Sequence, residues 1–436
     1  MPRPFGGGRG IRTPEGLTDL AAAELAHRGM SPYSQQALQS AEQALHVPFS
    51  IGNFPYLPIV AWLLTPATLQ PFWISFAVLS VIGAAIAVTS LSVWVREAGW
   101  KRAGLRIIAA MGSCVMFWGF FFGQFDAVLL GGLVGSLVLM RRNRPWLAGA
   151  CMVVVLLKPE LIWPLPILLF AVWTPQWARA WRFAAAAGVA VVAGGAAGFV
   201  LVPGAGAFFT NLMSFAGTVQ TTQPDLAGIP GLLITLPGGP VMGDGVVVIG
   251  AAAVVVLAWS CLTNSRLRAL RDVERGVVPL TGLAVWLACT PYAHTNDDVL
   301  LLPLLVLLIG VRGSALNVRG LAVGMIGCLG MTAIFFVSVQ LGDVVVVLGA
   351  AAWFWTRNRV PSLTCVIPSA ALVAIEVLPT VLLLWPLHLI TISLTPLAAA
   401  LVAVAGGGSL LARLRAMPAT QAIRGRSLAP PRLADR

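Results

Sequence analysis

Long apolar runs, separated by short basic clusters, dominate this sequence of 436 residues. A transmembrane helix needs about 20 apolar residues to cross the hydrocarbon core of a bilayer. Hydropathy predicts thirteen apolar segments, near residues 72–95, 105–122, 125–140, 145–157, 160–174, 181–202, 242–262, 277–292, 297–311, 320–338, 343–356, 362–384 and 388–411. The two short segments that flank Lys158 would remove two crossings if they formed a re-entrant hairpin. The pattern therefore predicts an all-α, polytopic membrane protein with about 11–13 transmembrane segments.

Positive charge is sorted to one side of the predicted membrane. Seven short clusters between and after the apolar runs hold 23 of the 28 lysines and arginines, and four arginines precede the first run. By the positive-inside rule, the seven clusters are cytoplasmic. An odd number of segments then places residues 1–71 outside and the C-terminal tail inside. Lys158 remains on the outer side, as the one basic residue of the helical region that breaks the rule.

The same pattern divides the chain into regions. Residues 1–18 are rich in Gly, Arg and Pro and are predicted to be disordered. Residues 19–71 form a first extracytoplasmic loop with an acid and amphipathic helices, and residues 72–411 form the transmembrane domain. Within that domain, residues 203–240 form a second extracytoplasmic loop, and residues 412–436 are a basic cytoplasmic tail. Residues 1–71 contain no apolar run for a signal peptide, so we expect either a further helix upstream or reverse insertion of the first span.

Composition excludes several classes of protein. With 58% apolar and 10% charged residues and a mean hydropathy of +0.88, the chain cannot present a water-soluble surface. The basic residues occur as pairs and triplets between spans, which predicts contact with membrane lipids and not with nucleic acid. Tryptophans near predicted helix ends are expected to be interface anchors; these are Trp94, Trp100, Trp146, Trp173, Trp177 and Trp181.

Polar residues recur at the outer ends of the predicted helices. They lie in the stretches 123–126, 158–160 and 292–298. An acid, an amide, an imidazole and one ammonium on that face would suit a reaction at an anionic lipid headgroup. His294, Asp297 and Asp298 offer imidazole and carboxylate ligands for a divalent metal. Their spacing matches no strict metal site, and a local hydrogen-bonded turn explains them equally well, so no cofactor is assigned.

Several of these fragments, in this order, resemble motifs of glycosyltransferase family 87, within the GT-C superfamily of polyprenyl-phosphate-sugar enzymes. The resemblance extends over about residues 19–310 and lacks the helix that normally precedes the first acid. The matching fragments are Asp19-Leu20, Gly29 to Tyr33, Phe54 to Pro58, Gly123 to Asp126, Arg141 to Pro159, and Thr290 to His294. Each fragment alone is a weak signal, and their joint order carries the resemblance.

The resemblance implies an inverting glycosyltransferase on the extracytoplasmic face of a bacterial plasma membrane. Its donor would be a polyprenyl-phosphate sugar, with mannose or arabinose, and its acceptor a lipid-linked glycan or an envelope polysaccharide. Asp19 would be the catalytic base, and Lys158 and Gln124 would bind the donor phosphate. The remaining candidates would contact substrate; they are Tyr33, Tyr56, Asp126, His294 and Asp297.

Each of these residues also has a structural explanation. Asp19 could cap a helix that begins at Leu20. Lys158 could extend from a helix end toward the membrane surface. Gln124 could form a hydrogen bond between helices.

Two other classes of protein fit the same hydropathy. A secondary transporter or a flippase for lipid-linked sugars also has many spans and sparse intramembrane charge. A noncatalytic scaffold for envelope assembly would keep the fold without needing Asp19. The long exported segment from residue 19 to residue 71 favours the enzyme, because transporters usually have short outer loops.

Overall fold

The computed structural model describes residues 16–45, 53–97, 125–219, 228–233, 238–268, 270, 275–293 and 295–309. The described residues are mostly helical and include no β-strand. The predicted all-α class is therefore confirmed for this part of the chain. The predicted span at 105–122, those from 320 onward and the tail at 412–436 lie outside the described residues.

The helices are named here in chain order. They are α1 Gly16–His27, α2 Gln35–Ala44, α3 Pro58–Leu64, α4 Phe72–Glu97, α5 Asp126–Arg141, α6 Pro145–Ala150, α7 Pro159–Ile162, α8 Pro164–Trp173, α9 Trp177–Leu201, α10 Phe208–Val219, α11 Gly228–Leu233, α12 Gly239–Thr263, α13 Ser265–Arg268, α14 Val277–Cys289 and α15 Leu302–Ile309. Short 3-10 segments occur at Thr65–Leu69, Cys151–Leu156, Thr174–Gln176, Ala205–Ala207 and Thr295–Leu301.

Three helical stretches in the described part are long and apolar enough to cross a membrane. They are Ile74–Glu97, Pro159–Leu201 and Val241–Thr263. Large aliphatic side chains on these helices are exposed, for example Val192 and Val200 on α9 and Val248 and Val255 on α12. Contiguous exposed apolar surface of this kind is costly in water and stable against hydrocarbon. The chain is therefore a membrane protein.

The chain around Lys158 folds as a helical hairpin. Helix α6 and the 3-10 segment that follows it form one arm, and α7 and α8 form the other. Proline disfavours the helical conformation in the residue before it, and Lys158, which precedes Pro159, is extended with φ −144° and ψ 73°. Arg179 Nε donates a hydrogen bond to Asn143 Oδ1 at 2.9 Å, which joins the open ends of the two arms. Lys158 consequently lies at the tip.

Basic side chains gather at the end of the helices opposite to Lys158. Arg142 pairs with Glu97, at the end of α4, at 2.7 Å. The guanidinium groups of Arg179 and Arg275 lie over the ring of Trp173, 4.6 and 4.8 Å from its centroid. We call Arg141, Arg142, Arg179 and Arg275 the basic end. Helix α5 has 16 residues, so its first residue lies about 24 Å from this end.

The prediction of an interface position is wrong for two of the tryptophans, which are buried instead. Trp94 and Trp173 are 1% and 2% exposed, respectively. Trp94 donates a hydrogen bond to the carbonyl oxygen of Pro303 at 2.8 Å, and the ring of Trp173 contacts two guanidinium groups. Each ring has its polar or cationic partner inside the protein, so neither needs the interface. Trp146, Trp177 and Trp181 are exposed, and Trp100 lies outside the described residues.

The segment that precedes α4 packs onto the transmembrane helices. Helix α1 begins at Gly16, two residues before the predicted end of the disordered stretch, and residues 1–15 lie outside the described part. Ala21, Ala22 and Ala23 of α1 are fully buried. Helix α3 contacts α9 at Gly198, where a Cβ atom would lie 2.5 Å from the backbone nitrogen of Ile59. Glycine therefore permits this close approach.

We expect Gly198→Ala to separate α3 from α9. Alanine usually stabilises a helix by about 0.5–1 kcal/mol relative to glycine, but this clash with backbone should cost about 1–3 kcal/mol. Thermal unfolding of the detergent-purified protein measures the net loss. Gly195→Ala, on the same helix, is the control, because its new Cβ would lie 3.8 Å from Leu156. Equal stability of the two variants would contradict the packing described here.

Candidate functional site

A lysine and two aspartates form a buried ionic trio. Lys158 Nζ lies 3.0 Å from Asp126 Oδ1 and 2.7 Å from Asp297 Oδ1. All three side chains are at most 5% exposed. Both contacts are hydrogen bonds as well as ion pairs. The trio joins parts of the chain that are 32 and 139 residues apart.

Each member of the trio is positioned by a break in helical structure. Asp126 is the first residue of α5, where a carboxylate is favoured by the exposed N–H groups and the helix dipole. Lys158 is extended at the tip of the hairpin. Asp297 belongs to the 3-10 segment Thr295–Leu301. The trio therefore lies where three elements meet, and not along the side of one helix.

The electrostatics of the trio differ from those of a free cation. Two carboxylates and one ammonium carry a net charge of −1 when all are ionised. The ammonium has three N–H bonds, and two of them are directed at the aspartates. The phenol of Tyr56 also lies within electrostatic reach of Lys158. Burial of each charge is costly, so these partners are what keeps the lysine stable inside the protein.

Asp19 lies beside an apolar cavity of about 290 Å³. It is 4% exposed and lies in the first turn of α1. Because the helix begins three residues earlier, Asp19 is not its N-cap residue. The cavity is bounded by α3, α4, the start of α5 and the 3-10 segment before Lys158; apart from Asp19 and Ser80, the side chains that line it are apolar.

The ionic trio lies next to the wall of this cavity. Phe125 and Ala127, on either side of Asp126, line the cavity, as does Leu157, which precedes Lys158. Asp126 and Lys158 themselves do not line it. The structure therefore places Asp19 at the cavity, and it places Asp126 and Lys158 next in sequence to residues that line it.

Aromatic rings form the side of the site near Asp126. Tyr56 contacts Phe54 and Phe125 edge to face, each at 5.5 Å between centroids. The hydroxyl of Tyr33 donates a hydrogen bond to the carbonyl oxygen of Tyr56 at 2.8 Å. Burial raises the pKa of the Tyr33 phenol, so this group stays neutral and acts as a donor. Asn211 of α10 donates to the carbonyl oxygen of Phe54, so both ends of residues 54–56 are fixed.

Glu42 is a buried acid near the site that the sequence pattern did not single out. It is fully buried on α2, and the hydroxyl of Thr18 donates to its Oε1 at 2.8 Å. Thr18 precedes Asp19 directly. The signal in the sequence was helical spacing, because Glu42 follows the buried Leu38 by four residues and therefore lies on the same face of α2.

Two predicted site residues, Gln124 and His294, lie outside the described residues. The predicted metal ligands are therefore only partly described, and Asp297 is hydrogen-bonded to Lys158. Within the described ranges, no group of three or more His, Cys, Asp or Glu side chains could hold a metal ion. Trp163, near Lys158, packs edge to face against Trp286 at 5.0 Å, and Trp286 donates to the Glu160 carbonyl oxygen.

We expect Lys158→Met to destabilise the protein strongly. It leaves two buried carboxylates without their cation, and loss of one partner from a buried ion pair typically costs about 3–5 kcal/mol. Thermal unfolding in detergent measures the loss. Adding Asp126→Asn and Asp297→Asn to the same protein removes both uncompensated charges and should restore much of the stability. If the single and triple variants unfolded at the same temperature, the trio would not carry this energy.

Comparison with known proteins supplies the family. The model of glycosyltransferase family 87 matches residues 54–289, just over half of the chain. No curated protein and no solved structure matches the sequence. The matched region includes α3, the hairpin with Lys158 and most of the cavity wall. Asp19, Tyr33 and Asp297 lie outside it.

Proposed function

Because the chain belongs to glycosyltransferase family 87, we propose that it transfers a sugar from a polyprenyl-phosphate donor to a hydroxyl group of a glycolipid or polysaccharide. Mannose and arabinose are the sugars we favour. The observation that carries this proposal is the position of a buried carboxylate, Asp19, at the border of an apolar cavity. Glycosyl transfer needs a base, and a lipid-linked donor needs an apolar site for its chain.

The lining of the cavity supports a lipid donor over a nucleotide donor. A nucleotide would bring a base, a ribose and two phosphates, and burying those groups without polar partners is costly. An isoprenoid chain gains free energy from the same apolar surface. Leu63, Ile82 and Val153 line the cavity, and each of them is more than two-fifths exposed, at 53%, 49% and 42%. We infer that the cavity opens toward the surrounding lipid, so that a polyprenyl chain could enter sideways.

Asp19 is the proposed catalytic base. Its carboxylate accepts the proton of the acceptor hydroxyl while that oxygen forms a bond to the anomeric carbon. The bond between the anomeric carbon and the phosphate oxygen breaks, and the polyprenyl phosphate leaves with the electron pair. Attack opposite to the leaving group inverts the configuration. The products are the glycosylated acceptor, the polyprenyl phosphate and a protonated Asp19, which then returns its proton to water.

Lys158 is proposed to contact the donor phosphate through a hydrogen bond. Its two carboxylate partners outweigh its positive charge, so it offers an oriented N–H bond and not a free positive charge. A hydrogen bond from a buried, pre-positioned donor can stabilise developing charge in a low-dielectric site. Asp126 and Asp297 would then fix the ammonium, and Gln124 would be a second phosphate contact. Tyr56 and the region of His294 would border the sugar.

We infer the orientation in the membrane from the charge distribution. The basic end carries Arg141, Arg142, Arg179 and Arg275, and by the positive-inside rule it faces the cytoplasm. Asp19 and the ionic trio then face the extracytoplasmic side of a bacterial plasma membrane. Transfer on that face suits a lipid-linked donor, because nucleotide sugars are made and kept in the cytoplasm.

We expect Asp19→Asn to reduce sugar transfer by about 100-fold or more, since general base catalysis typically contributes factors of about 10² to 10⁴. The assay follows a labelled sugar from a synthetic polyprenyl-phosphate donor into acceptor lipid, and a nucleotide sugar is tested in parallel. Glu24→Gln is the matched control, because Glu24 is an acid on the same helix that pairs with Arg28 at 2.6 Å. The Asp19→Asn substitution would not change the function of a transporter, a flippase or a scaffold.

We expect Ile82→Trp to raise the KM for long-chain donors several-fold more than the KM for a short-chain analogue, because the bulkier indole side chain narrows the cavity. Initial rates with donors of two chain lengths measure this. Val81→Trp is the control: Val81 and Ile82 are neighbours on α4 and are similarly exposed, at 57% and 49%, but Val81 does not line the cavity. Equal effects of both substitutions would exclude this cavity as the donor site.

A further inference from the structure

The first turn of α1 is joined to α2 by a buried polar contact. Thr18 Oγ1 donates a hydrogen bond to Glu42 Oε1 at 2.8 Å, across 24 residues of sequence. Glu42 is fully buried and Thr18 is 3% exposed. Burying a carboxyl group to this degree is costly unless it is hydrogen-bonded. Leu38, one turn earlier on α2, shows that this face also holds apolar side chains.

The contact lies directly beside the proposed base. Successive residues of an α-helix point about 100° apart, so Thr18 can face α2 while Asp19 faces the cavity. The first turn of a helix is its weakest part, because its N–H groups have no partners within the helix. The hydrogen bond from Thr18 ties this turn to α2, and any movement of the turn would move the carboxylate of Asp19.

We propose that Glu42, acting through the hydroxyl of Thr18, is a positioning residue that sets the direction of the Asp19 carboxylate. This inference rests on the proposed function of Asp19. Glu42 supplies the acceptor oxygen, Thr18 supplies the connection to the first turn of α1, and the transferred proton goes to Asp19 alone. The role predicts that a hydrogen-bond acceptor is needed at residue 42, and that a negative charge is not.

The test compares substitutions that keep or remove the hydrogen bond. Thr18→Val keeps the shape of the side chain and removes the donor, while Thr18→Ser keeps the hydroxyl. Glu42→Leu removes the acceptor, while Glu42→Gln retains a carbonyl oxygen in the same position. We expect Thr18→Val and Glu42→Leu to lower kcat about 10- to 100-fold, with KM changed less than about twofold, because small misplacement of a catalytic group acts on the reaction step.

The conservative variants provide the discriminating result. We expect Thr18→Ser and Glu42→Gln to retain kcat within about threefold, singly and combined in one protein, because the hydroxyl donor and the carbonyl acceptor are both still present. A role confined to stability would lower the unfolding temperature of Thr18→Val without changing kcat of the folded fraction. That result would overturn the proposal, as would loss of activity in Glu42→Gln protein with an unchanged unfolding temperature.

The outcome is also separable from that for Asp19 itself. If Asp19→Asn abolishes transfer while Thr18→Val is fully active, the positioning role fails and the proposed function remains. If Asp19→Asn is fully active, the proposed base fails first. Should Glu42→Leu not fold, the pair Thr18→Val and Thr18→Ser decides the matter, because neither introduces or exposes a new charge.

Discussion

The contact on which this site depends is the burial of one ammonium group between two carboxylates. Lys158 cannot remain charged inside an apolar helical protein without partners, and its two partners come from Asp126 and Asp297. The requirement brings together the tip of a hairpin, the start of α5 and a 3-10 segment far along the chain. Because all three elements must meet at this point, the position of the neighbouring cavity wall is fixed as well.

The trio and the cavity divide two physical tasks. Asp126 and Lys158 do not line the cavity, and apart from Asp19 and Ser80 its lining is apolar. The helices that precede α4 then close the site, with α3 packed on α9 at Gly198 and α1 presenting Asp19. In the proposed reaction, apolar surface binds the carrier lipid, while the few polar groups are reserved for the transfer of the sugar.

Hydropathy predicted the long helices well, because the membrane fixes their length. It did not predict the contacts between residues that are far apart in the sequence. The predicted spans 72–95, 181–202 and 242–262 correspond to α4 at Phe72–Glu97, α9 at Trp177–Leu201 and α12 at Gly239–Thr263.

Nothing in the local sequence pairs Lys158 with an acid 139 residues away. Trp94 and Trp173 were expected at the interface because they lie near helix ends, but neighbouring elements cover them. The burial of Glu42 was not predicted, because a glutamate is normally on the surface. In each case a tertiary contact overrides the average behaviour of the residue type.

The apolar surroundings of Asp19 also suit the role of base that is proposed for it. In water a carboxylate is a weak base, because solvent stabilises its charge. Beside aliphatic walls that stabilisation is reduced, and acceptance of a proton removes the cost of the remaining charge. Thr18 and Glu42 do not line the cavity, so the polar contact between them leaves the apolar lining intact. An apolar cavity therefore suits the proposed reaction, since its surface can bind a polyprenyl chain next to the proposed base, Asp19.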